Sequence, residues 1–190
     1  SVNKLTIDHL FPENPGKISI LAEMSIHAAK EALDQAGIQA KDVDAVILGT
    51  SHISRNYPAI ACEVMDELGI EGYGYDMLIG CSSTTFAISN AYRDIASGLA
   101  DTILVINPEL TSPHNDFTLR DSHFIFGDAC VATVVQKDST SKNRARILDR
   151  KLDIHWGNVD GRTNHLIKFE EKLWNLMKDS GCRIILAGAE

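Results

Sequence analysis

Positive charge is in short supply in this 190-residue sequence: 18 Lys and Arg stand against 26 Asp and Glu, a formal charge of -8. That balance argues against a general nucleic-acid binder, whose affinity rests on a basic face that neutralises phosphates. An acidic or phosphorylated ligand would need a local basic pocket. No apolar run approaches the roughly 20 residues that cross a bilayer, so no membrane partner is expected. Ser1-Val2-Asn3-Lys4 does not begin a secretory signal, and the expectation is a cytoplasmic protein. Cysteine is sparse too. Cys62, Cys81, Cys130 and Cys182 lie far apart, without a C-x-x-C pair or a histidine partner at zinc-finger spacing. That excludes a metal knot or a disulfide scaffold, and leaves each thiol as a small hydrophobe or a reactive group. There is no repeat at solenoid periods and no low-complexity tract. What remains is ordinary globular composition, 44% hydrophobic and 23% charged, with one main core expected.

The pattern within that composition alternates. ISILAEMSIHAAKEALDQA, residues 18–36, places Ile20, Leu21, Met24, Ala28, Ala32, Leu33 and Ala36 near one helical face, with Gly37 as the stop. VDAVIL, residues 43–48, reads as a strand buried on both faces, ended by Gly49-Thr50-Ser51. After a polar loop, Pro58 stands where a helix N-terminus tolerates it, and AIACEVMDELG runs to Gly69. A strand from Gly74 to Ile79, a small-residue helix SSTTFAISNAYRDIASG and the strand TILVIN complete an αβαβαβ order. Helices alternating with buried strands imply an α/β fold with a mostly parallel sheet and helices packed over it. Residues 109–121 read as a surface loop, and Gly127-Asp128 as a tight turn before the strand ACVATVVQ. Lys137 to Asn143 is the linker candidate, dividing the chain at 1–137 and 138–190. Beyond it ARILDRKLDI reads as a strand, HLIKFEEKLWNLMKDSG as a helix and CRIILAG as a final strand.

In such sheets ligands collect at the carboxyl ends of the strands, and Cys81 lies at one such end. A helix beginning near Ser82 would put partial positive charge and unpaired N–H groups beside the sulfur, which favours thiolate. The same N–H groups, that of Cys81 included, can face an oxyanion during acyl transfer. Gly80, Ser82 and Ser83 are small enough to let a substrate carbonyl approach. Taken alone the segment leaves two readings open: a nucleophile, or a thiol buried at a packed junction.

Further stretches weigh between them. YPAIACEVMDELGI, YDMLIGCSSTTFAI, ASGLADTILVINPE and RDSHFIFGDACVATVV, in that order, resemble the amino-terminal half of a β-ketoacyl-acyl carrier protein synthase III of the thiolase superfamily, over roughly residues 18–137. The resemblance implies one half of the five-layer αβαβα thiolase fold, a layered αβα unit with a mixed, mostly parallel sheet. It implies that Cys81 is the nucleophile, acylated by acyl-CoA. It implies that Tyr57, in N-Y-P, reaches across a homodimer to shape the partner's acyl pocket, and that Arg120, eight residues before Asp128, contacts the nucleotide part of CoA. Phe126, Gly127 and Asp128 would hold the turn under the site. For Tyr57 and Arg120 the bland readings are a cover for its own helix and a surface ion pair with Asp116, Asp121 or Asp128. The wording around Cys81 and the F-G-D turn is closer to an atypical branch than to the acetyl-primed form, which points to a longer acyl primer.

The implied reaction is transthioesterification onto Cys81, then condensation with malonyl-acyl carrier protein; acyl-CoA is a substrate, and no metal or redox cofactor is called for. In the family a His and an Asn from the carboxyl-terminal half stabilise the charge of decarboxylation. No H-Q-A-N-like segment follows here. Among the seven histidines, His52 and His114, in loops after strands, are the best placed to approach the sulfur. His9, His27, His123, His155 and His165 carry weaker cases, and Asn158 and Asn164 read as ordinary turn formers. Two other functions stay open: acyl transfer without condensation, and a thiolase-like partner subunit in which Cys81 is inert.

Overall fold

In the computed structural model, which describes residues 18–53, 55–121, 123–137 and 147 and the backbone of strands at 154–159 and 162–167, Ser19 caps the first helix, α1 (Ile20–Ala36). Its hydroxyl accepts the Ala22 N–H at 3.2 Å, and Gly37 closes the helix in the left-handed conformation. The buried face is Leu21, Ala22, Ser25, Ile26, Ala29 and Leu33. This corrects the expected face by part of a turn: Met24, Ala28 and Ala32 lie at its margin, half-buried. Ser25 fits the core because its hydroxyl donates to the Leu21 carbonyl at 2.6 Å.

Strand β1 (Ala45–Thr50) is buried at every residue and lies between β2 (Tyr73–Leu78) and β3 (Thr102–Glu109), parallel to both. β4 (Ala129–Gln136) joins β3 antiparallel, giving the order β2-β1-β3-β4. Val46, Leu48, Leu104 and Ile106 face α1 and α2 (Ile60–Leu68) in one core cluster. The alternate residues, Ala45, Ile47, Ile103 and Val105, are also fully buried, and α3 (Ser83–Ser97) packs on β1 and β3 with Ala87 and Ala91 buried. Burying each Val, Ile or Leu in such a strand contributes about 2 kcal/mol, which is why an all-apolar run is stable only here, between two helical layers. The expected αβα layering with a mostly parallel sheet is what the chain forms.

Three aspartates fix the connections, each by accepting from two successive backbone N–H groups. Asp44, just before β1, accepts from Asp101 and Thr102 at 2.8 and 2.9 Å, anchoring the start of β3. Asp76 on β2 accepts from Ile60 and Ala61 at 2.7 and 2.9 Å, and so supplies the cap that α2 lacks locally, since its N-cap residue is Ala59. Pro58 therefore lies outside the helix rather than in its first turn. Burial raises the Asp76 pKa, and the two N–H bonds oppose it. Asp128 accepts from Thr111 and Ser112 at 2.7 and 2.8 Å, and from the Ser112 hydroxyl at 2.6 Å.

The chain divides into two compact units, Ser1–Lys142 and Asn143–Glu190. In the second, β5 (Ile154–Val159) and β6 (Arg162–Ile167) form an antiparallel hairpin. His165 to Ile167 are strand residues, which corrects the expected helix start at His165. Asn158 and Asn164 are strand residues as well, not turn residues. The remainder of that expected helix, the strand over 145–153, the linker beyond Lys137 and the final CRIILAG lie outside the described residues. No helix among the described residues is long and apolar enough to cross a membrane.

Gly72 has φ 145°, and a Cβ there would stand 2.0 Å from the Asp44 carbonyl oxygen. Gly72→Ala is expected to cost about 3 kcal/mol, read as a lower urea midpoint at unchanged slope. Asp128 gives a pH-dependent counterpart. Partial burial pushes its pKa up, but the bonds from Ser112 and Thr111 outweigh that and hold it below the ordinary carboxylate value. Its stabilising contribution is thus present above the unfolded-state pKa and lost as pH falls through the folded one. The urea-midpoint difference between wild type and Asp128→Asn should be larger at pH 6 than at pH 3; an unchanged difference would remove the charge from the account.

Candidate active site

Three loops leave the carboxyl ends of the parallel strands: residues 51–59 after β1, 79–82 after β2 and 110–128 after β3. Cys81 sits in the second, within a single 3-10 turn (Gly80–Ser82) that leads into α3. Its side chain is exposed. Gly80 adopts φ 55°, a left-handed conformation that lets the chain swing sharply from strand to helix. The helix begins at Ser83, one residue later than expected, and Ser83 is buried at 2% exposure. This corrects its reading as a small residue beside an open approach path: it is the floor of the turn.

The Ser83 hydroxyl accepts the Ile79 N–H at 3.0 Å and shares its hydrogen between the carbonyls of Gly80 at 2.8 Å and Thr50 at 3.0 Å. One side chain thus ties both flanks of the turn to the end of β1. The fit is close. A Cβ on Gly49 would meet the Ser83 Cβ at 3.0 Å and the Asn107 Nδ2 at 2.8 Å, so glycine is what allows α3 to start this near β1. Asn107 Nδ2 donates to the Gly49 carbonyl at 3.0 Å, while its Oδ1 is buried with no partner among the described residues.

The cysteines separate by environment. Cys130 is half-buried on β4, and that burial pushes its thiol up to about 11, against an opposing hydrogen bond with Ser25; it is a small hydrophobe. Cys62 is exposed within α2. Cys182 lies outside the described residues. Cys81 alone of the described three combines exposure with a strand-to-helix turn.

The two best-placed histidines do come together. His52 and His114 meet edge to face with ring centroids 4.1 Å apart. His52 Nε2 lies 2.7 Å from the Leu110 carbonyl, which only accepts, so Nε2 carries the hydrogen. Burial, and then the proximity of His52, lower the His114 pKa, favouring the neutral ring. Nearby, Glu109 Oε1 accepts from the Ser51 N–H at 2.9 Å and its hydroxyl at 3.0 Å, and Oε2 is buried without a partner among the described residues.

Tyr57 is 88% exposed in the loop after β1, so it does not cover its own helix. That loop is held from behind: Arg55 pairs with Glu63 on α2, and Glu63 also accepts the Ser19 N–H at 3.0 Å. Arg120 is exposed in the loop after β3, and it forms no ion pair with Asp116, Asp121 or Asp128. Asp116 is bonded instead to Thr118. The Phe126-Gly127-Asp128 turn grips the same loop, through Asp128 and through the Gly127 carbonyl, which accepts the Thr111 hydroxyl at 2.8 Å. Phe126 is itself exposed. No hydrogen bond or ion pair among the described residues links Cys81 to Tyr57 or Arg120.

The residues that sequence reasoning passed over are Asp76 and Asn107, while Ser83 was read for its size alone. The signal for Asp76 was a carboxylate inside an apolar strand, and that for Asn107 an amide ending TILVIN; both are polar where the pattern demands apolar.

A family model described as 3-oxoacyl-[acyl-carrier-protein] synthase III matches residues 75–155. A β-ketodecanoyl-[acyl-carrier-protein] synthase of Pseudomonas aeruginosa is 49% identical over 142 residues, 74% of this chain and 41% of that protein. A β-ketoacyl-[acyl-carrier-protein] synthase III of Dinoroseobacter shibae is 39% identical over 149 residues, 77% of this chain and 44% of that protein. Among solved structures, the 3-oxoacyl-[acyl-carrier-protein] synthase III of Aquifex aeolicus superposes with a TM-score of 0.65 at 28% identity, over 86% of this chain and 53% of that one. The chain spans less than half the length of the curated relatives it matches. With the fold, the strand-end cysteine and these matches in agreement, the chain is similar over most of its length to the cysteine-bearing half of β-ketoacyl-acyl carrier protein synthases III.

Proposed function

We propose that this protein is an acyltransferase in which Cys81 takes an acyl group from acyl-CoA and passes it to a malonyl-acyl carrier protein, in fatty acid or related biosynthesis. The observation that carries this reading is the exposed Cys81 in the turn between β2 and α3, where the first backbone N–H groups of the helical segment have no intrahelical partners. The Cys81 thiolate attacks the thioester carbonyl, and the electron pair returns from the oxyanion as the CoA thiolate leaves. Decarboxylation of the malonyl group then supplies a carbanion; it forms the new carbon–carbon bond at the acyl carbonyl, with CO2 lost and the Cys81 thiolate released.

The substrate is proposed to be a medium-chain acyl-CoA. Support comes from the relative named as a β-ketodecanoyl synthase: octanoyl plus the two carbons kept from malonyl makes a β-ketodecanoyl product. Arg120, free of the neighbouring aspartates, is proposed to meet the CoA phosphates, and Tyr57 to enter the pocket of a second copy. Residues 1–137 are taken as the nucleophile-bearing unit and 138–190 as a separate segment. The cytoplasm is the proposed location.

Incubation with octanoyl-CoA should add one octanoyl group to the peptide containing Cys81, and Cys81→Ala should abolish it; absence of the adduct from the wild type would end the acyl-enzyme reading. Release of CO2 from malonyl-acyl carrier protein is expected with the acylated protein, and acylation without it would favour transfer without condensation. A dimer is expected by light scattering. A well-folded monomer would remove Tyr57 from the pocket.

A further inference from the structure

Gly80 supplies the left-handed kink before Cys81, but glycine adopts either sign of φ with similar ease, so it cannot hold the peptides beside it in one orientation. A Cβ at Gly80 would meet nothing within 4 Å, so packing does not hold them either. Two backbone bonds close the turn, from the Ser82 N–H to the Ile79 carbonyl and from the Ser83 N–H to the Gly80 carbonyl, and a side chain adds the tie to the sheet that they lack. The buried Ser83 hydroxyl accepts from Ile79 N–H and donates to the carbonyls of Gly80 and Thr50. It thereby bonds one group on each side of Gly80 and moors both to β1, the most buried strand of the sheet.

The consequence follows from peptide geometry. In a planar trans peptide the C=O and N–H point in opposite directions. Ser83 draws the Gly80 carbonyl inward, toward the buried end of β1, and its own N–H bonds the same oxygen. The Cys81 N–H, on the other end of that peptide unit, therefore points the opposite way, out from the buried end of β1, in a turn whose cysteine is exposed.

We propose that Ser83 is a positioning residue that fixes the Gly80–Cys81 peptide with its N–H toward the acyl carbonyl, so that the turn is organised for an oxyanion before substrate arrives. This rests on acyl transfer at Cys81. An oxyanion donor matters only for attack on a carbonyl; alkylation by iodoacetamide needs the same sulfur but displaces iodide at a saturated carbon and develops no oxyanion.

The two reactions separate the role from general damage to the turn. In Ser83→Ala the rate of octanoyl transfer to Cys81 should fall about tenfold to a hundredfold, somewhat less than the loss of an oxyanion donor outright. Alkylation of Cys81 at the same pH should change by less than about threefold. Adduct is assigned to residue 81 by fragmenting the peptide that carries it, which separates it from residue 83. If Ser83→Ala lacks the wild-type circular dichroism, Ser83→Cys takes its place, since it fills the site with a weaker donor and acceptor and should show the same split. Acylation at the wild-type rate, or equal losses in acylation and alkylation, would overturn the proposal. A wild type that is alkylated but never acylated would instead overturn the acyl-transfer reading and this inference with it.

Discussion

Burial of β1 on both faces is the constraint from which the rest of the site follows. All six residues from Ala45 to Thr50 are inaccessible, packed beneath α1 and α2 on one side and α3 on the other. A strand so enclosed cannot shift register without exposing apolar surface, so its carboxyl end is a fixed point. The neighbouring loops are moored there. Ser83 bonds the Thr50 carbonyl, Asn107 the Gly49 carbonyl, and Ser51 the carboxylate of Glu109. The Cys81 turn is thus referred to a rigid strand, although Gly80 within it is the most permissive of residues.

The connections obey one chemical rule. At three places a carboxylate from elsewhere in the chain accepts two successive backbone N–H groups: Asp44 at the start of β3, Asp76 at the start of α2, and Asp128 in the loop after β3. The Cys81 turn is the exception that chemistry requires. There the organising group is a neutral hydroxyl, which directs a carbonyl inward without placing negative charge beside the sulfur that the proposed acyl transfer would use as a thiolate. A carboxylate in the place of Ser83 would hold the turn at the expense of the thiolate.

How much of this was legible in the sequence depends on whether the information was local. The αβαβαβ order could be read because each element carries its own periodicity and stop, Gly37, Gly69 and Gly98 each closing a helix. The resemblance could be read because the strand-Cys81 junction, the strand that follows it and the F-G-D turn fall in order. The buried face of α1 was misjudged because Ser25 looks polar and is buried, its hydroxyl satisfied within its own helix. The start of α2 was misplaced because its cap comes from Asp76, 16 residues away. The region after Asn158 was misread for the reverse reason: with no core pattern to favour one period, His165 to Ile167 suited a helix as well as the strand they occupy. Ser83 was misassigned because composition reports its size and says nothing of its burial.

The loop after β3 shows how polar anchoring and apolar exposure cooperate. Its backbone is bound internally, through Asp128 to Thr111 and Ser112 and through Asp116 to Thr118. Its large apolar side chains, Phe117, Leu119, Phe124, Ile125 and Phe126, are exposed, as is Tyr57 on the loop after β1. A loop that satisfies its polar groups inward and presents apolar ones outward gains nothing in water from that arrangement, since each exposed ring forgoes about 2 kcal/mol of burial. Covering those side chains would recover that burial, and the backbone, already bonded, would lose few hydrogen bonds to water in the process. The polar bonding therefore fixes the loop's shape independently of what its apolar side chains meet.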